Sequence, residues 1–243
     1  MYDIHSHIAY GADDGAQSLE EAVKMVEYAA LRGTKGLVAT PHTNVPGSYE
    51  NFWGPELLEK VKELRTALKE NYIDVQIFCG QEIFCTSFAV DLLKSGKVIT
   101  LNNSRYPLLE FDFYEYSDSV YSKLEKIISE GYVPIVAHPE RYAFVAEEED
   151  AALRLKKLGC VLQINKGSLT GYFGESAFYT SRRLIEERLA DVIASDSHSP
   201  YVRTTNMENT HELVSELYSP NYADILLDIN PKRILQDREI IIL

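Results

Sequence analysis

Cysteine is scarce in this 243-residue chain, and its three copies, Cys79, Cys85 and Cys160, are odd in number and form no Cys-x-x-Cys pair. That count and spacing exclude a disulfide framework and a thiolate zinc site, so the three read as small buried apolar residues. A thiolate phosphatase is excluded as well. Its Cys-x5-Arg loop needs arginine six residues after the cysteine, where this chain carries Cys85, Asp91 and Lys166. Positive charge is also short, with 24 Lys and Arg against 37 Asp and Glu and a formal net charge of −13. Nucleic acid is bound by Lys and Arg that displace counterions, so that class of partner drops out. No apolar run approaches the roughly 18 residues that span a bilayer. The opening Met-Tyr-Asp-Ile-His-Ser-His has no basic or apolar leader pattern. The expectation is a cytoplasmic protein with no insertion into a membrane.

What is present is a core-forming α/β pattern. Hydrophobic residues make up 45% of the chain, and a β/α barrel reaches this length as one domain, so residues 1–243 read as a single domain. Apolar, β-branched runs at Tyr2 to His5, Gly36 to Thr40, Val75 to Cys79, Leu108 to Phe111, Pro134 to Ala137, Cys160 to Ile164 and Val192 to Ser195 predict seven strands. Helical stretches alternate with them: Ser18 to Leu31, with Ser18 and Glu21 as a capping box, Pro55 to Glu70, Val120 to Glu130, Asp150 to Leu158, Ala177 to Glu187 and Thr205 to Leu217. Repeated βα units predict a parallel sheet, here an irregular barrel rather than an open sheet. The apolar ending Ile240-Ile241-Ile242-Leu243 is expected to pack on the barrel or on another subunit.

Five of the six histidines, His5, His7, His42, His138 and His198, fall at or just after a predicted strand end, and only His211 lies in a helix. Asp13, Asp14, Glu82, Glu110 and Asp196 join them. In a parallel barrel the C-terminal strand ends converge on one face, where active sites are built. A lone strand-end histidine is more often a core or capping residue, and Asp13-Asp14-Gly15 alone is an ordinary turn. Five histidines with several carboxylates at one end of successive strands resist that explanation and predict a divalent metal site. In His5-Ser-His7 and Asp196-Ser-His198 the i, i+2 spacing puts both ligands on one face of a strand. Imidazole and carboxylate without thiolate suit manganese, iron or zinc.

These residues resemble the polymerase and histidinol phosphatase superfamily, with its N-terminal His-x-His, Thr-x-His, bridging Glu, later His and final Asp-x-His. The likeness runs over the whole chain. It is closest to the manganese-dependent tyrosine phosphatases encoded with capsular and exopolysaccharide genes in Gram-positive bacteria, through Asp3-Ile-His-Ser-His-Ile8, Asp13-Asp-Gly15, Thr40-Pro-His42, Gly80-Gln-Glu82-Ile83, Leu101-Asn-Asn-Ser-Arg-Tyr106, Leu109-Glu-Phe111, Ala137-His-Pro-Glu-Arg-Tyr142, Ala194-Ser-Asp-Ser-His198 and Asn230-Pro-Lys232. The resemblance implies a distorted TIM-like (β/α)7 barrel holding three divalent ions, manganese first, with iron, zinc or magnesium as alternatives. His5, His7, Glu82 and Asp196 would hold the first ion. Glu82, Glu110 and His138 would hold the second, and Asp14, His42 and His198 the third. It also implies Arg141 and Arg203 as phosphate contacts.

Clustered divalent ions can supply a hydroxide that attacks phosphorus in line, which agrees with the missing thiolate loop. The implied substrate is a phosphotyrosine protein, a bacterial tyrosine autokinase that regulates polysaccharide export. Three rival readings stand beside it: histidinol-phosphate phosphatase or another small-molecule phosphoesterase, an amidohydrolase-like hydrolase, and a metal-stabilised binding protein without turnover.

Overall fold

The computed structural model describes all 243 residues. Its strands are β1 (Tyr2–Ser6), β2 (Gly36–Ala39), β3 (His42–Thr43), β4 (Gln76–Cys79), β5 (Glu82–Phe84), β6 (Leu108–Glu110), β7 (Ile135–Ala137), β8 (Val161–Asn165) and β9 (Val192–Ala194). All pairings are parallel, in a sheet ordered β1-β2-β4 and a second ordered β3-β5-β6-β7-β8-β9. The α/β class is therefore as expected, but the second and third expected strands are each followed, after a two-residue gap, by a further short strand that was not expected. Thr40-Pro41 separates β2 from β3, and proline has no N–H to give to a ladder. Gly80-Gln81 separates β4 from β5, where a Cβ on Gly80 would come within 2.8 Å of both Val38 and Leu101.

Backbone bonds cross these gaps and tie the two sheets together. The Gly80 N–H donates to Ala39 O at 3.0 Å and the Glu82 N–H to Pro41 O at 3.2 Å. On the other side, the Asp196 N–H donates to His5 O at 2.9 Å and the His7 N–H to Ser197 O at 2.8 Å.

Helices cover the strands from outside: α1 (Leu19–Leu31), α2 (Pro55–Glu70), α3 (Ala89–Lys94), α4 (Ser117–Ser129), α5 (Ala143–Glu147), α6 (Ala151–Lys157), α7 (Glu175–Glu186), α8 (Glu208–Leu217), α9 (Pro220–Asp224) and α10 (Asn230–Leu235). Proline at the first position opens α2, where its missing N–H costs nothing. The capping box of α1 is half formed. Ser18 Oγ accepts from the Glu21 N–H, while Glu21 reaches back to the Gln17 N–H instead of Ser18. The unanticipated α3 and α5 are one or two turns long, too short to show a helical repeat, whereas the equally unanticipated α9 and α10 are joined by a π-helical turn, Ile225–Ile229, into one continuous run.

Period-two alternation sorts the strand residues between two cores. Leu108, Ile135, Ala137, Val192 and Ala194 pack in one cluster, and their neighbours Leu109, Val136 and Ile193 in another. In β1 the register shifts between Asp3 and Ser6, an irregularity that re-aims side chains at a strand end.

The apolar C-terminus folds back on the chain's own body. Asn230, fully buried, donates from Nδ2 to Asp191 O (2.9 Å) and Ile241 O (3.0 Å) and accepts from the Ile241 N–H (2.7 Å). Ile240 packs against the cluster that contains Ile4 and Val38, whereas Ile242 and Leu243 stay exposed. Asn230→Ala is expected to cost about 2–4 kcal/mol, because buried partners are left unsatisfied at about 1–3 kcal/mol each. The loss should appear in urea unfolding, with faster exchange of the Ile241 amide; unchanged stability would show that the tail is not anchored by this side chain.

Candidate metal centre

The loop after β1 returns on itself so that Asp13 can fix two histidines. Asp13 Oδ2 lies 2.7 Å from His7 Nδ1 and accepts the His42 N–H at 2.8 Å, while Oδ1 accepts the Gly15 N–H at 2.9 Å. Gly15 is required by proximity, since a Cβ there would sit 2.2 Å from His7 O. His5 is fixed in the same way, its Nδ1 2.8 Å from Gln163 Oε1 on β8. With both Nδ1 atoms engaged by oxygen acceptors, each ring turns its Nε2 inward, and the two Nε2 atoms meet at 3.3 Å.

Two carboxylates complete this point. Glu82 Oε2 is 3.2 Å from His5 Nε2 and 3.4 Å from His7 Nε2, and Asp196 Oδ1 is 3.5 and 3.4 Å from the same atoms. Glu82 also reaches outward. Its Oε1 lies 3.0 Å from His138 Nε2, which is 3.6 Å from Glu110 Oε1. Its Oε2 lies 2.9 Å from His42 Nδ1 without hydrogen-bond alignment, so both atoms are buried and unpartnered. Asp14 Oδ1 stands 3.6 Å from His42 Nε2 and 3.5 Å from His198 Nε2. The ring of Tyr49 stacks on His42 at 5.9 Å.

All nine expected ligands are thus gathered at the strand ends, but the closest sets differ from the expected ones: His5 and His7 join Asp196, and His42 rather than His138 joins Glu82 and Glu110. His7 additionally falls within 4.8 Å of Asp14, His42 and His198, so it borders two groups rather than one. The residues fit divalent cations on chemical grounds. Imidazole lone pairs and carboxylate oxygens face one another, and added protons or a divalent cation would relieve such crowding.

The acid–base balance of the cation-free chain registers the same conflict. Burial lifts the Glu110 carboxyl to about 8, with the Glu82 charge adding to it. Burial opposes protonation of His42, yet the Glu82 carboxylate outweighs it and holds that imidazole up at about 9. His138, buried and facing Arg141, is pushed down to about 4. Two of the expected ligands also sit in left-handed backbone, His138 at φ 34° and Asp196 at φ 48°, a conformation costing on the order of 1–3 kcal/mol that persists only where the surroundings impose it.

Asp196 turns its second oxygen away from the histidines. Asn165 Nδ2 donates to Oδ2 at 2.6 Å, Arg203 Nη2 lies 2.6 Å from it and Arg141 Nη1 3.7 Å. Both expected arginines therefore border the centre. The roles of Gln163, Asn165, Phe113 and Phe173 escape a sequence reading, and Asp13 carries no assigned role there. Nothing local marks Gln163 or Asn165 beyond their place at the end of a strand.

A family described as "Capsular polysaccharide synthesis, CpsB/CapC" matches residues 1–236. The tyrosine-protein phosphatase CpsB of Streptococcus pneumoniae is 32% identical over 245 residues, 98% of this chain and 99% of its own. The solved structures of YwqE from Bacillus subtilis and CpsB from Streptococcus pneumoniae, described as unique metal-dependent tyrosine phosphatases, match at a TM-score of 0.91 and 29% identity over 99% of this chain and 96% of theirs. Histidinol phosphate phosphatase from Lactococcus lactis shares the fold at a TM-score of 0.57 and 15% identity, over 93% of this chain and 94% of its own.

In chelator-treated protein, Glu110 and His42 keep protons when folded that they lose when unfolded, where their ordinary values are 4.5 and 6.5 respectively. Folding then binds protons across pH 6.5 to about 8, so their stabilisation falls as pH rises through that window. His138 titrates below the window, at about 4. Thermal unfolding of chelated protein should decline from pH 6.5 to 8, and added Mn should reverse the decline, because metal competes with protons for these atoms. A chelated protein that gains stability over that interval would contradict the electrostatic account.

Proposed function

The chain belongs to the CpsB/CapC family of capsular polysaccharide synthesis proteins, and from that premise we propose that it is a metal-dependent phosphatase that hydrolyses phosphotyrosine on proteins. The observation that carries the proposal is the double face of Asp196. One of its oxygens meets the inward histidines and the other meets two arginines, so a cation-binding floor and an anion-binding rim share one side chain.

We assign three divalent ions to the centre, manganese first, with iron, zinc or magnesium as alternatives. His5, His7, Glu82 and Asp196 would hold one, Glu82, Glu110 and His138 the second, and Asp14, His42 and His198 the third. Such ions supply Lewis acidity toward phosphoryl oxygens and lower the pKa of water. We read the nine strands as seven staves of a distorted (β/α)7 barrel, with β2 continuing as β3 and β4 as β5, and residues 1–243 as one domain; the backbone bonds between β1 and the end of β9 support closure.

The protein's own groups bind and orient the ester. Arg141 and Arg203 face the transferring group, and a planar guanidinium fork matches phosphate oxygens. A cleft of about 470 Å³ beside Arg141, lined by Phe113, Tyr114 and Phe173 among others, offers aromatic surface to the tyrosine ring. The phenol leaves with a pKa of about 10, so little is asked of a general acid. We further propose a tyrosine autokinase of the cytoplasm as the phosphoprotein. The three unpaired cysteines accord with a reducing compartment.

The test compares a phosphotyrosine peptide, a phosphoserine peptide and histidinol phosphate, using chelated protein with and without Mn. Preferred, metal-dependent turnover of phosphotyrosine is expected, and Arg141→Ala should lower its kcat/KM by about 10- to 100-fold, the equivalent of one charge-assisted contact. Turnover of histidinol phosphate alone would overturn the substrate and leave the metal centre standing.

A further inference from the structure

Arg141 is gripped but not hydrogen-bonded. Its guanidinium carbon lies 4.4 Å from the ring centroid of Phe113 and 4.4 Å from that of Phe173. Its nearest carboxylate oxygen, Asp196 Oδ2, is 3.7 Å away, beyond hydrogen-bond reach. A guanidinium flanked by two rings keeps only its planar edge for donating hydrogen bonds. Arg203 meets the same ring, with its guanidinium carbon 5.4 Å from the Phe173 centroid. Its Nε is buried and has no partner. Phe173 is therefore the aromatic ring that both arginines share.

The ring also divides two clefts, one of about 470 Å³ reaching Arg141 and one of about 330 Å³ reaching Arg203 and Lys166. Its loop is shaped to present it. A Cβ on Gly167 would come within 2.8 Å of Phe173 Cε2. Gly171 and Gly174, on either side of Tyr172-Phe173, adopt φ values of 80° and 91° that side chains disfavour.

We propose that Phe173 is a positioning residue that sets the plane and spacing of Arg141 and Arg203, so that both forks meet one phosphoryl group; the role rests on the phosphatase reading. Phe173 itself touches no phosphate oxygen. It acts by restricting two flexible side chains, so fewer rotamers are lost when the anion arrives. An aromatic face is what the role demands, because an aliphatic side chain of similar size fills the space without attracting a cation.

The experiment uses full-length, Mn-loaded protein with Phe173→Leu, Phe173→Ala and Phe173→Tyr. Inorganic phosphate binding is read by calorimetry, phosphotyrosine-peptide kinetics by KM and kcat, and folding by Tm. Leu and Ala should weaken phosphate binding about ten-fold and raise KM more than they lower kcat, while Tyr stays within about two-fold of the parent. Tm should not track these losses. Parent-like phosphate binding by the Leu variant, or losses in all three that follow Tm, would reduce Phe173 to a packing residue and overturn the proposal. Should the parent bind phosphate yet leave the phosphotyrosine peptide intact, the substrate reading fails separately, and the Leu-against-Tyr contrast in phosphate binding still decides the role of the ring.

Discussion

At the strand ends, His5 Nε2 and His7 Nε2 approach to 3.3 Å, with Glu82 and Asp196 oxygens within 3.5 Å of them. Electron-rich atoms buried this closely repel one another unless protons or cations lie between them. Every other feature of that face answers to the crowding. Asp13 and Gln163 take the outer ring nitrogens and thereby fix which nitrogen points inward, the arrangement by which outer partners set a ligand's tautomer. Gly15 lets the chain pass against His7, and the left-handed turns at His138 and Asp196 direct side chains that ordinary strand geometry would send elsewhere.

The interruption of two strands belongs to the same arrangement. A continuous strand presents side chains to one face only at every second residue, and β2 and β4 run through the body of the protein before their ends reach the site. Breaking them at Thr40-Pro41 and Gly80-Gln81 restarts pairing at His42 opposite Glu82, which sets two expected ligands side by side. Pro41 and Gly80 are visible in the sequence as strand-breaking residues. Their effect was hidden because a break followed at once by renewed pairing looks, residue by residue, like a strand that simply ends.

Much of the fold was legible for a physical reason. Buried parallel strands need continuous β-branched apolar runs, and those runs were long enough to locate all seven segments to within a residue or two. The short helices α3 and α5 were not legible, since five or six residues hold too little periodicity to separate from a loop, and the run from α9 to α10 was masked by Pro231 within it and by the π-helical turn at Ile225–Ile229, which breaks the 3.6-residue period. In the centre, the nine expected ligands could be nominated because each lies at a strand end and bears a metal-binding group. Gln163 and Asn165 act through partners distant in sequence, as in His5 with Gln163, 158 residues apart. No local pattern announces such pairs. Phe113 and Phe173 were hidden for another reason: loop aromatics more often cover a core than grip an arginine.

The acidity of the chain then takes on a spatial meaning. A net charge of −13 opposes the approach of a phosphorylated partner, and the field of a whole surface is felt over about a Debye length, roughly 8 Å in physiological salt. Within the site, however, Glu82, Glu110 and Asp196 turn toward the histidines, Glu82 and Asp196 nearly inaccessible to solvent and Glu110 partly buried. Arg141 and Arg203, about one-fifth exposed, occupy the rim. Asp14 is the exception among the site's carboxylates, half exposed and so more open to solvent than either guanidinium. Asp14, Glu82, Glu110 and Asp196 are only four of the 37 Asp and Glu residues, so the long-range repulsion comes mainly from carboxylates elsewhere, while those of the site face the histidines and leave the local field at the rim to the two arginines.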